Sequence, residues 1–251
     1  MFTAANLALG MTAAFMVGVS KTGIPGGALL AVPMFAMIFE GRLIAGGTLP
    51  ILIAGDLFAV AWYHSHARWD LLRPIAPWVG LGFVAGTAFF VAIGAASRSL
   101  EVTIGVIVLF IVGLQMIRLI RRTPPRPPNT ATAATYGTAG GFTTFVANAA
   151  GPVINTYLIG LDLPKTELVG TQAWFYLVVN LAKIPLYLAI GALAAGGVFF
   201  TAESLLFDLV LIPAVVIGAF AGRAIFTRVP QRAFLIVVLV LSAAGGLDLL
   251  L

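Results

Sequence analysis

Few side chains in this 251-residue chain could do chemistry, and they sit in two kinds of place. One is a pair of breaks in apolar sequence, SKTGIPGG at 20–27 and ANAAGP at 147–152. The other is a pair of charges inside apolar stretches, Asp56 in LPILIAGDLFAVAWY and Lys183 in GTQAWFYLVVNLAKIPLY. In the first break Pro25 suits the opening turn of a helix, where no N–H is needed, and Ser20 or Thr22 could cap that turn. The free amides and positive dipole end of that helix would then face the break beside Lys21, an arrangement that binds anions. Gly23, Gly26 and Gly27 let the backbone turn there. ANAAGP repeats the logic: Pro152 fits a first helical turn, Gly151 permits close backbone approach, and Asn148 and Asn155 add neutral polar groups. Thr171, Gln172 and Trp174 follow Gly170 and could line the same cavity, with core packing the other reading for Trp174. An ionisable residue in lipid is costly and lines a functional path or pairs with another. Asp56 is therefore read either as the carrier of a coupling proton or as the partner of Lys21 or Lys183. For both lysines the plain alternative is a side chain snorkelling to the headgroups, and for ANAAGP it is close packing through small residues.

Other chemistry finds little support. His64 and His66 form an HxH pair with no third ligand nearby, so a metal site is not expected. GVSKTG lacks the Gly-Lys-Ser/Thr core of a phosphate-binding loop. No nucleophile stands beside a base, so an enzyme is not expected, nor is a cofactor. The chain has no cysteine, which excludes disulfides and thiol chemistry. A net charge of +5 does not point to nucleic acid, because the basic residues are distributed as loop charge.

The elements that must position these residues are membrane helices. The chain is 61% hydrophobic and only 9% charged, against about 25% charged in a soluble domain. Mean hydropathy is +1.07. Stretches 22–39, 74–97 and 127–161 carry no charge, and runs of about 18 or more apolar residues are candidate spans. Strict alternation is absent, so a barrel is not expected. The expectation is an all-α polytopic protein of about ten spanning or half-spanning helices, at 4–19, 25–39, 43–63, 72–94, 101–120, 132–147, 151–161, 168–194, 205–222 and 232–249. That leaves no room for a soluble domain, and the N-terminus has no basic n-region of a signal peptide. The segment 151–161 is about 16 Å long as a helix and cannot cross alone. It pairs with 132–147 as a re-entrant or crossed half-helix.

The proline-rich RTPPRPPN at 122–129 cannot be helical and divides a single transport domain into repeat one, 1–121, and repeat two, 131–251, with 122–130 as linker. Gly27 and Gly151 are 124 apart, and at that offset Gly46 matches Gly170, Asp56 matches Asn180, Leu57 matches Leu181 and Tyr63 matches Tyr187. Later, IAPWVGLGFVAGTA at 75–88 matches LIPAVVIGAFAGRA at 211–224 at an offset of 136. Arg118, Arg121, Arg122 and Arg126 make the linker cytoplasmic by the positive-inside rule. Counting outward, Arg68 and Arg73, Lys165, and Arg223, Arg228 and Arg232 also fall inside, Arg42 and Arg98 fall outside, and both termini lie outside the cytoplasm. Five segments per half is an odd number, so the halves are inverted, and inverted repeats broken at matching places form transporter binding sites.

GVSKTGIPGGALLAVP, LPILIAGDLFAV, ANAAGPVINTYL and LPKTELVGTQAWFYLVVNLAKIP together resemble the TauE/SafE sulfite-exporter family, in its branch with a Ser-Lys-Thr-Gly segment. The resemblance covers nearly the whole chain. It implies secondary transport of a small sulfur-containing anion, such as sulfite or a sulfonate like sulfoacetate, across the bacterial inner membrane. It also implies that the turns at Gly23, Gly26, Gly27 and Gly151 frame the substrate path. Many members have GVGGG where this chain has GIPGG, and Lys21 replaces a neutral residue of the commoner motif. A separate thiosulfate-uptake family relies on cysteines, which this chain lacks. The expectation is proton-coupled export of a sulfur oxyanion or organosulfonate. A passive anion channel or a carrier of a small carboxylate is the alternative. A homodimer is compatible with the sequence, which fixes no assembly.

Overall fold

The computed structural model describes residues 1–23, 28–93, 97–121, 129–159, 161, 163–193, 197–225 and 231–251. These residues are helical throughout, in the order α1 (Ala4–Thr22), α2 (Ala28–Ala36), α3 (Leu43–Gly46), α4 (Leu49–Tyr63), α5 (Trp69–Leu72), α6 (Ala76–Ile93), α7 (Ser97–Arg121), α8 (Thr130–Ala147), α9 (Ala150–Ile159), α10 (Lys165–Leu193), α11 (Ala202–Ile225) and α12 (Gln231–Asp248). A single 3-10 turn, His64–His66, follows α4. Six candidate spans are long and apolar enough to cross a membrane among the described residues, which makes this a multi-pass membrane chain.

The expected segments are refined in three places. The segment at 43–63 divides between α3 and α4 at Gly47 and Thr48, and α4 restarts with Pro50 in its first turn. The segment at 72–94 divides at Arg73–Ile75 into α5 and α6; Pro74 lies in that gap and disfavours helix at the residue before it. Helix α1 runs on through Ser20, Lys21 and Thr22 and stops at Gly23, whose N–H bonds the Val19 carbonyl. These three residues are thus the last turn of a helix, and Thr22 does not cap α2. Its hydroxyl donates instead to the Ala219 carbonyl at 2.7 Å. Pro25, Gly26 and Gly27 lie outside the described residues, as do positions 122–128 of the linker.

Helices α2 and α9 have nine and ten residues, about 14 and 15 Å of helix. Neither can cross a hydrocarbon core of about 30 Å. They are half-helices, and their backbone must be screened by neighbours. Two glycine-packed pairs of long helices supply the frame. In the first, Gly10 of α1 lies against Phe207 and Leu211 of α11, Gly18 against Val215 and Ala219, and Gly23 against Gly222. Numbers rise together along the contact, so the two helices are parallel. In the second, α6 and α8 are parallel in the same way, with Gly82 against Thr138 and Gly141, and Gly86 against Phe145. A Cβ at Gly18 or Gly141 would strike a backbone carbonyl, of Val215 and Val79 respectively. Small residues let transmembrane helices approach this closely.

Between the seams α4 and α10 cross in opposite directions. Gly170 of α10 abuts Tyr63 at the end of α4, and Gly46, just before α4, abuts Phe199, beyond the end of α10. Where they cross, Asn180 Nδ2 donates to Asp56 Oδ2 at 2.6 Å. Two tyrosines 124 residues apart each bond a carbonyl of a neighbouring helix: the Tyr63 hydroxyl donates to the Thr22 carbonyl, and the Tyr187 hydroxyl to that of Phe145.

Candidate functional site

Helices α1 and α8 both end near the middle of the fold, where α2 and α9 begin, and a cavity lies between these four ends and the face of α10. Its wall includes Ser20, Lys21, Ala28, Leu29, Asn148, Gly151, Asn155, Gln172, Tyr176 and Asn180. The first turns of both half-helices, Ala28–Leu29 and Ala150–Pro152, thus border it. The first four N–H groups of a helix have no intrahelical acceptor, and the dipole places positive charge there. The cavity holds about 40 Å³ by the centres of the waters it could contain, against about 10–15 Å³ for one water.

Lys21 supplies the full charge. Its Nζ lies 2.7 Å from Asp56 Oδ1, and the same nitrogen sits 4.2 Å above the Tyr176 ring. The Tyr176 hydroxyl in turn donates to the Gly151 carbonyl at 3.3 Å. A buried carboxylate needs partners on both oxygens, and Asp56 has them: Lys21 on one and Asn180 on the other. Of the two roles expected for Asp56, the geometry fits the charge pair with Lys21.

Lys183 does not snorkel. It is fully buried, and its Nζ donates to Asn148 Oδ1 at 2.5 Å, the Thr144 carbonyl at 3.2 Å and the Thr144 hydroxyl at 3.3 Å. Three N–H donors meet three neutral oxygens. The cluster therefore contains two lysines to one carboxylate. Asn148 stands at the end of α8 with φ 53°, a left-handed conformation that asparagine tolerates better than most residues. Its Nδ2 donates to the Ala45 carbonyl at 2.9 Å, so with Lys183 on its oxygen this amide is committed to holding the break. It shapes the wall more than it offers free bonds.

Free bonding capacity lies elsewhere. Asn155 Oδ1 and Gln172 Nε2 are buried at the cavity and have no hydrogen-bond partner among the described residues. Such groups in a native fold call for a ligand or water. Gln172, Tyr176, Asn180 and Lys183 are spaced by four, four and three, one face of a helix. That stripe was the signal from which Tyr176 could have been found in the sequence; it was missed, as was Thr144.

Four expected site residues lie elsewhere. Thr22 and Gly23 pack against Ala219 and Gly222 of α11. The Thr171 hydroxyl accepts from the Arg68 backbone N–H at 3.0 Å. The Trp174 indole packs against Trp69, with ring centroids 5.4 Å apart, and its N–H lies 3.4 Å from the His64 carbonyl. Thr171 and Trp174 flank Gln172 in sequence but point off the stripe, because successive helical residues turn about 100°. Gly26 and Gly27 are outside the described residues.

The profile of the family "Sulfite exporter TauE/SafE" matches residues 9–249. No curated protein and no solved structure matches the chain.

Proposed function

We infer the function from one premise: the chain belongs to the TauE/SafE sulfite exporter family, whose members are membrane exporters of small anions. We propose that it exports a sulfur oxyanion of the sulfite type, or a small organosulfonate, by secondary transport coupled to protons across the bacterial inner membrane. The observation that carries this reading is the convergence on one cavity of two half-helix N-termini, Lys21, and the unpartnered Gln172 Nε2 donor. Donors from the two helix ends, Lys21 and Gln172 border a space of oxyanion size.

The paired contacts support two inverted five-helix repeats, 1–121 and 131–251, forming a single transport domain about the 122–130 linker. Asp56 and Asn180, equivalents in the two halves, bond to each other, as residues on a twofold axis in the membrane plane would. Rocking one half against the other about this crossing would expose the cavity to each side in turn. On this reading the linker is cytoplasmic and both termini are outside.

The test is sulfite binding and movement. Purified protein should gain thermal stability with sulfite, and the gain should be lost in Lys21→Ala. Vesicles carrying the protein should concentrate sulfite against its gradient under an imposed pH difference. Movement only down its gradient would mean a channel, and stabilisation by small carboxylates alone would reassign the substrate.

A further inference from the structure

A second intramembrane carboxylate stands apart from the anion cavity. Asp208 lies in α11, in the apolar run AESLLFDLVLIPAVV. It is 1% exposed, and neither carboxylate oxygen has a hydrogen-bond partner. It shares the buried face of α11 with Ser204, one turn earlier, and Leu211. The Ser204 hydroxyl is turned away, donating to the Thr201 carbonyl.

No cation reaches it among the described residues. The helices packed most closely on α11 are α1 and α4. Helix α1 has no charged side chain before Lys21, which is on Asp56, and the chain's amino group is on Glu203. Helix α4 contributes only Asp56, held by Lys21 and Asn180. Phe39 packs on Phe207 from the loop after α2. In that loop Glu40 is exposed, and Arg42 donates to the Gly197 and Phe90 carbonyls. Lys183 of α10 is engaged with Thr144 and Asn148.

The offset of 136 that aligns 75–88 with 211–224 sets Asp208 against Leu72, a buried leucine. An ionised carboxylate with no partner is too costly to bury, whereas a protonated one is a compact neutral group. An ionisable residue kept inside a membrane protein marks a path for ions or protons.

We propose that Asp208 is a proton-binding site, separate from the anion cavity, that takes up one proton from the aqueous phase on one side and releases it on the other as α11 moves. That it serves coupling rests on the export reading above; that it binds a proton does not.

The two parts are tested separately. Infrared spectra of the purified wild-type protein at neutral pH should show the carbonyl band of a protonated carboxyl group. The band should vanish in Asp208→Asn and persist in Asp56→Asn. No such band in the wild type, or its survival in Asp208→Asn, overturns the site. If Asp208→Asn fails to fold, Asp208→Leu, the side chain of its counterpart, takes its place, and the wild-type spectrum decides alone if both fail. For coupling, Asp208→Asn should keep sulfite binding but lose the acceleration of sulfite movement by a proton gradient. A variant that still answers to the gradient overturns the coupling role. Absence of sulfite movement in the wild type would sink the export reading instead, and leave the proton site to the infrared result.

Discussion

Lys21 satisfies Asp56 and borders the cavity at once, so its removal should be felt twice. Breaking a buried pair from one side costs about 3–5 kcal/mol, because the remaining charge is stranded. Lys21→Met should therefore lower unfolding stability by about that amount and abolish sulfite binding. Lys21→Met combined with Asp56→Asn should restore most of the stability but none of the binding, as read by denaturation in detergent and by thermal shift. The two equivalent tyrosines give a graded comparison. Tyr187 is fully buried and its hydroxyl lies 2.6 Å from its acceptor; for Tyr63 the distance is 3.2 Å. Stranding a buried carbonyl costs about 1–3 kcal/mol. Tyr187→Phe should sit at the upper end of that range and Tyr63→Phe at the lower, in the same denaturation assay.

The seams set the next scale. Gly82 and Gly218 match at the offset of 136, and a Cβ at either meets the backbone of the facing helix, which cannot yield as a side chain can. Gly82→Ala and Gly218→Ala should each force a seam apart and lower the melting temperature sharply. Gly80 and Gly113 have nothing within reach of an added Cβ. Alanine there should be neutral, or stabilise by up to about 0.5–1 kcal/mol through helix propensity. Much of this architecture was legible beforehand because its signals are local. Apolar length marks a span, and proline and glycine mark breaks. The division of residues between cavity and frame was less legible. Ser20 and Lys21 border the cavity while Thr22 and Gly23 face α11, and four consecutive residues of a helix cannot share one face. Which side looks inward depends on where the partner helix lies. Asn148 shows the same limit: sequence marks it as polar at a break, but only the neighbouring Lys183 and Ala45 reveal that its amide is already in use.

Across the whole molecule, the two halves also meet outside the spans. Arg68, in the loop before α5, bonds Asp70 beside it and Glu167 at the start of α10. The Arg68 hydrogen bond holds the Asp70 carboxyl below the usual carboxylate range, and Asp70 raises the Arg68 guanidinium in return. A group with a lowered folded pKa stabilises the fold above its ordinary range and loses that contribution as pH falls through the lowered value. The effect of this cluster should thus be constant at neutral pH and fade only in acid. Arg68→Gln should lower the neutral plateau of a melting-temperature profile slightly and leave its acid end unmoved, which flattens the acid limb, with a smaller difference at high salt. The first seam bears on how the protein is made. Thr22 bonds Ala219 across 197 residues of sequence. During synthesis α1 enters the bilayer long before its partner exists, with its glycine face open to lipid or to whatever insertion machinery shelters it. A ribosome stalled anywhere before α11 leaves that face unmatched, so fragments ending early should be recognised as unfinished and degraded. The last long helices then complete the seam begun by the first.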